Sequence, residues 1–88
     1  MVFDVHRRDR ADVFWIVGSG FKIRHAMTTL PGSVYTGAWV PALCETWLLI
    51  PTATPWPQEP PSRTITERCS ECTTIANHQT HHEHTWDY

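Results

Sequence analysis

Residues 12–27 have the sequence DVFWIVGSGFKIRHAM and predict a β-hairpin. The first six residues are rich in β-branched and aromatic types, residues 18–20 form a Gly-Ser-Gly turn, and residues 21–27 alternate with period two. Side chains on a strand point alternately to its two faces. One face of the second strand is predicted to carry Phe21, Ile23, His25 and Met27. The opposite face, predicted to point to solvent, carries Lys22, Arg24 and Ala26.

Further short strands are predicted after this hairpin. Residues 34–39 and 43–50 are apolar and aromatic, and Pro41 between them favours a sheet edge. Residues 51–61 contain five prolines, which predicts an extended connector, with Trp56 expected to fold back onto the core. Residues 63–68 predict another short strand, and residues 73–82 have moderate helical character.

Length and composition limit the chain to one small domain. Eighty-eight residues with seven prolines suit neither a doubly wound nucleotide-binding sheet nor a helical bundle. We predict an α+β, β-rich fold: a small antiparallel sheet of three to four strands with a short C-terminal helix, stapled by zinc. The predicted organisation is a flexible N-terminus (residues 1–11), a zinc-binding domain (12–77, with the connector 51–61 inside it) and a His-rich tail (78–88) that is expected to fray.

The cysteine pattern indicates metal binding. Cys69-x2-Cys72 has the spacing with which two thiolates reach one tetrahedral Zn²⁺ from a tight turn. The plain alternative is a pair of buried or free cysteines. A thioredoxin-type redox pair requires a βαβ unit, which this short, proline-rich chain does not supply. An odd count of three cysteines fits a reduced, cytoplasmic protein better than a secreted disulfide framework.

The other two zinc ligands must come from elsewhere in the chain. Cys44 is the remaining cysteine. His25 competes for the fourth position with the C-terminal histidines, of which His78 is the main alternative. We favour His25, because a strand fixes its backbone before metal binds. The predicted ligand set is His25, Cys44, Cys69 and Cys72.

The order of these motifs resembles small actinobacterial zinc-finger proteins. The matching features are an early Phe14-Trp15, Arg24-His25-Ala26, Leu43-Cys44, a middle rich in Trp and Pro, and the final Cys69-x2-Cys72. The resemblance spans residues 14–76 and implies a bacterial protein with one structural zinc on the same four residues. The chain departs from the pattern at Glu45, where that family prefers glycine.

Catalysis by the zinc is not expected. A zinc deaminase needs His-x-Glu and Pro-Cys-x2-Cys, but Met27 stands at the glutamate position and Arg68 precedes Cys69. In a helix, His82 and His84 would lie on different faces, so they do not form the zinc-protease pattern. Four protein ligands also leave no position for a reactive water.

Composition favours a binding module over an enzyme. Five tryptophans exceed what so small a core encloses, which favours a protein-interaction adaptor with an unknown protein partner. Nucleic-acid binding is the alternative, but the net charge of −2 lacks the expected basic excess. The residues predicted to contact nucleic acid in that case are Arg7, Arg8, Arg10, Lys22 and Arg24. Weak metal handling by the His-rich tail is a second alternative. No membrane association and no small-molecule substrate are expected.

Overall fold

The computed structural model describes residues 11–78 and 81–88. Within these residues, the first strand, β1 (Ala11–Ile16), is followed by four shorter strands and one α-helix. The other strands are β2 (His25–Met27), β3 (Trp39–Pro41), β4 (Trp47–Leu49) and β5 (His81–Thr85). The helical segments are α1 (Ser70–Asn77) and two 3-10 turns, Pro31–Ser33 and Pro61–Thr64. This confirms the α+β, β-rich fold class.

The five strands form two sheets. The larger sheet has the order β2-β1-β5, with β2 antiparallel and β5 parallel to β1. The smaller sheet is the antiparallel pair β3-β4. The prediction of a single antiparallel sheet is therefore wrong in detail, because the C-terminal residues add a parallel strand.

The core lies on both faces of β1. Val13, Phe14, Trp15 and Ile16 are all buried, as expected for a central strand that is covered on each side. The smaller sheet contributes Leu48 and Ile50, and α1 contributes Cys72 and Ala76. The two sheets and the helix thus share one core, which fixes their relative positions.

The predicted hairpin is present with a shorter second strand. Phe14 pairs with Met27 and Ile16 with His25, and the chain turns at Gly18–Phe21 as predicted. Residues 21–24 do not pair with β1, because Arg24 instead forms a parallel bridge with Arg68. The prediction that both cations point to solvent is correct for Lys22, which is exposed, and wrong for Arg24, which is buried. Ala26, on the same face, is buried as well.

Other boundaries also differ from the predictions. The strand predicted at 34–39 overlaps β3 at residue 39 alone, and the strand predicted at 43–50 is the shorter β4. Residues 61–64 form a 3-10 turn where a strand was predicted from residue 63. The helix predicted over 73–82 is α1, which begins three residues earlier and ends at Asn77. Trp56 does not fold onto the core, since 93% of its surface is exposed. Within the described residues, every helix falls short of the length and apolar character needed to cross a bilayer.

The C-terminal residues do not fray. Residues 81–85 pair with β1 over five positions, from Ala11 opposite His81 to Trp15 opposite Thr85. After the strand, the backbone N–H of Trp86 donates to the carbonyl oxygen of Trp15 at 3.1 Å. The expectation of a loose tail is wrong because these contacts join segments about 70 residues apart, which local sequence patterns do not reveal.

Candidate metal centre

Three segments that are distant in sequence bring metal-ligand side chains together. One ligand atom each from His25, Cys44 and Cys69 lies within 4.8 Å of the other two. The Cys44 and Cys69 sulfurs are 3.9 Å apart. Two thiolates on one tetrahedral Zn²⁺, with Zn–S bonds of about 2.3 Å, are separated by about 3.8 Å. The cluster therefore has dimensions that a single small ion can satisfy.

His25 enters the cluster from β2. Its side chain is buried, and its ring contacts Phe21 edge-on at 4.8 Å between centroids. Among the described residues, the Nδ1 atom has no hydrogen-bond partner. Burial lowers the pKa of His25, against a smaller opposing effect of the Ile23 backbone. The neutral imidazole is the form of histidine that binds a metal ion, and its unpartnered nitrogen leaves a lone pair free for that bond.

Cys44 lies in the loop that joins β3 to β4. The backbone N–H of Ala42 donates to the Thr46 carbonyl at 2.8 Å, and that of Glu45 donates to the Ala42 carbonyl at 2.9 Å. Glu45 has a positive φ of 71°. This is the pattern of a three-residue hairpin loop whose last residue is left-handed, a position that glycine usually occupies. The loop is held to β2 by the N–H of Leu43, which donates to the Ala26 carbonyl at 2.8 Å.

Thr46 is a neighbour of this site that the sequence did not single out. The Cys44 sulfur lies 3.2 Å from the Thr46 hydroxyl oxygen. Burial acts to raise the pKa of Cys44, but hydrogen bonds with Thr46 and with the Cys72 and Cys69 thiols outweigh it and place the pKa below its ordinary value. Cys44 thus has more thiolate character than a free cysteine, which favours metal binding.

The remaining cysteines stand at the start of α1. Cys69 is the N-cap residue, and its backbone N–H donates to the Arg24 carbonyl at 2.8 Å. Cys72 is fully buried in the first turn, with its sulfur 3.9 Å from the Ala26 carbonyl oxygen and next to the Cys44 thiol. Burial raises the pKa of Cys72 to about 12. Without a metal this thiol stays protonated at neutral pH, and a bound cation would displace its proton.

The four residues of the predicted ligand set therefore lie close together in the fold. His25, Cys44, Cys69 and Cys72 form a cluster that can bind a metal ion. His78, the alternative ligand, is exposed and lies at the far end of α1, outside this cluster. The ligand-bearing segments are β2, a hairpin loop and a helix N-terminus, so an ion here would join both sheets to the helix.

Of the predicted nucleic-acid contacts, the structure describes Lys22 and Arg24, and these two do not form a basic surface. Lys22 is exposed, but Arg24 is buried and its guanidinium donates to acceptors on five other residues. Arg24 is therefore unavailable to a phosphate. Arg7, Arg8 and Arg10 lie outside the described residues.

Comparison of the chain with protein-family models, with curated proteins and with solved structures gave no match. The resemblance to small actinobacterial zinc-finger proteins therefore stays a prediction. What the chain can do follows from its own geometry.

Proposed function

We propose that this chain is a small, non-catalytic protein-binding module in which one structural Zn²⁺ orients an exposed aromatic surface. The ligands are His25, Cys44, Cys69 and Cys72. Thiolate and imidazole donors in a closed tetrahedral set suit Zn²⁺ and leave no coordination position for water. The zinc therefore has a role in folding and none in a chemical step.

The observation that carries the proposal is the outer face of the β3-β4 sheet. Register places Trp39 opposite Leu49 and Pro41 opposite Trp47, so these four side chains share one face. Trp39 and Trp47 are 60% and 59% exposed. The solvent face of an antiparallel sheet is ordinarily polar. We call these four residues the aromatic face.

The opposite face of the same hairpin explains why the aromatic face points outward. Val40 pairs with Leu48, and both are buried in the core. Cys44 lies in the loop of this hairpin, so a zinc ion would fix it to β2 and α1. A rigid, apolar surface with two tryptophans is the type of surface at which protein partners dock.

Metal content is the first part of the test. Protein purified without an affinity tag and dialysed to remove weakly bound metal should retain one Zn²⁺ per chain by mass spectrometry under native conditions. Zinc binding contributes on the order of 10 kcal/mol in small zinc domains, comparable with the whole stability of a domain. Chelation should therefore abolish the near-ultraviolet circular dichroism signal and expose the chain to protease. An unchanged signal in metal-free protein would refute the structural role of zinc.

Partner binding is the second part. A partner protein is first captured by cross-linking it to the zinc-loaded chain in a cell extract. The partner is then purified, and the Kd of its complex with the zinc-loaded chain is measured by calorimetry. Trp39→Ser and Trp47→Ser should each weaken binding by about 30-fold, the effect of an interface residue worth about 2 kcal/mol. Trp56→Ser is the matched control, because Trp56 is exposed but lies outside the aromatic face. Equal loss in all three variants, or salt-dependent binding to oligonucleotides in place of protein, contradicts the proposal.

A further inference from the structure

Strand β5 carries a His-x-His pair with a geometry that a helix would not allow. His82 and His84 are two residues apart, and side chains at i and i+2 of a strand lie on the same face. Their α carbons are about 6.6 Å apart at a rise of about 3.3 Å per residue. Imidazoles at this spacing can turn toward one common ion.

The neighbouring strand places a carboxylate beside this pair. Asp12 of β1 lies opposite His82 in the parallel register, and its Oδ1 atom is 3.3 Å from the Nε2 atom of His84. Nitrogen and oxygen ligands bound to one tetrahedral ion at about 2.1 Å are separated by about 3.4 Å. In this structure the two atoms are hydrogen-bonded to each other, and their separation is close to that of two ligands of one metal, which could take the place of the shared proton.

Packing fixes the orientation of His84. Its ring stacks on Phe14 with the centroids 5.0 Å apart and the planes at 20°. This stacking directs Nε2 toward Asp12. Glu83 lies between the two histidines in sequence but binds elsewhere, since its Oε1 accepts from the Trp15 indole and from Arg68. The cation Arg68 is thus paired on the other side of the strand.

We propose that Asp12, His82 and His84 form a second, exposed site for a divalent transition metal such as Zn²⁺ or Ni²⁺. Two imidazoles and one carboxylate suit these borderline ions. Among the described residues, only His25, Cys44 and Cys69 already have three ligand atoms within 4.8 Å of one another, so the second site forms when His82 turns toward the ion. The three side chains are exposed, which leaves His82 free to rotate and water free to fill the remaining positions. The site lies between the start of β1 and β5, whereas His25 on β2 pairs with Ile16 at the other end of β1. The site is independent of the proposed protein-binding role.

The experiment uses the full chain already loaded with one zinc ion. Ni²⁺ is titrated by calorimetry, because it does not oxidise thiols, and zinc content is measured afterwards to show that the first site stays filled. We expect one Ni²⁺ per chain. Asp12→Asn, His82→Asn and His84→Asn should each raise the Kd at least about tenfold. His78→Asn, an exposed histidine outside the site, is the matched control and should bind Ni²⁺ as the unmodified chain does.

A second measurement does not depend on variants. Sub-stoichiometric Ni²⁺ should broaden the NMR signals of residues 12, 82 and 84 first and leave those of residue 78 sharp. Absence of a second bound ion, equal weakening in the His78 control, or broadening centred on other histidines would each overturn the proposal.

Discussion

The guanidinium of Arg24 lies 2.6 Å from a carboxylate oxygen of Asp87, and this ion pair joins the residue before His25 to the segment after β5. Arg24 is only 4% exposed. Its other N–H groups donate to the backbone carbonyl oxygens of Ile65, Trp15, Trp86 and Ser62. A buried charge of this kind is tolerated because its donors are satisfied. Arg24 therefore connects the segment after β5 to β2, the strand that carries His25.

Asp87→Asn should lower the free energy of unfolding by about 1–3 kcal/mol at pH 7, because it weakens a hydrogen bond between charged groups. Burial acts to raise the pKa of Asp87, but hydrogen bonds from Arg24 and Ser62 outweigh it and hold the pKa below its ordinary value. A carboxylate whose pKa is lower in the folded state stabilises the protein fully above the unfolded-state pKa of about 3.9. This contribution to the free energy of unfolding disappears as the pH falls through the folded-state pKa.

Urea unfolding of the zinc-loaded protein should therefore show the same deficit for Asp87→Asn at pH 7 and pH 5, the deficit shrinking only below about pH 4. Glu59→Gln is the control, since the pair between Glu59 and Arg63 is largely exposed and should contribute little. A deficit that already disappears between pH 7 and pH 5 would contradict the role assigned to the ion pair.

Arg24 also shows where sequence reasoning failed. Period-two alternation predicted a cation on the solvent face, but both faces of this sheet are covered, so Ala26 within the paired hairpin is buried as well as Arg24. The acceptors that bury this arginine come from residues 15, 62, 65, 86 and 87. Such long-range partners leave no local periodic signal. For the same reason the parallel pairing of β5 with β1 was not predicted.

The metal-binding cluster was more predictable than the sheets. Cys69-x2-Cys72 is a local pattern whose geometry follows from its spacing, and the need for further ligands directed attention to Cys44 and His25. The sequence did not reveal that Cys44 would lie in a hairpin loop instead of on a strand. The sequence suggested weak metal binding by the His-rich tail, but it did not suggest the pairing of His82 and His84 with Asp12, because that arrangement depends on β5, for which no strand was predicted.

Glu45→Gly should raise the free energy of unfolding by about 0.5–1 kcal/mol. Glu45 adopts a φ of 71°, and a left-handed conformation costs a non-glycine residue about 1–2 kcal/mol. The greater flexibility of glycine in the unfolded chain offsets about 0.4–1 kcal/mol of this gain. Urea unfolding with saturating zinc measures the difference. Glu67→Gly, at a position without a positive φ, should instead destabilise the protein, and a similar gain there would contradict the argument.

Cys72→Ser should lower the affinity for Zn²⁺ by more than about 100-fold, which exceeds the 10–100-fold typical of residues that only support a ligand. Cys72 is fully buried and adjoins Cys44, whereas His78 is exposed at the end of α1. Competition with a chelator of known affinity gives the zinc Kd. His78→Ala should leave that Kd unchanged. The reverse result, with His78→Ala weakening zinc and Cys72→Ser not, would show that the fourth ligand is the tail histidine.

Trp15→Phe should destabilise the protein by about 2 kcal/mol, chiefly by removing a hydrogen bond to a charged group. Trp15 is 1% exposed, and its indole N–H donates to Glu83 at 2.9 Å. The guanidinium of Arg68 lies 4.4 Å from the ring centroid, which adds a cation–π contact.

Because Glu83 belongs to β5, the loss should appear first as faster amide hydrogen exchange in residues 81–85, before global unfolding. Trp56→Phe provides the control, since that side chain is almost fully exposed and should change neither stability nor exchange. The contrary result is that Trp15→Phe lowers the free energy of unfolding while amide exchange in β5 stays equal to that in β1 and β2. The indole would then stabilise the core without holding β5 in place. The parallel strand would then depend on its backbone pairing and on the Arg24–Asp87 ion pair.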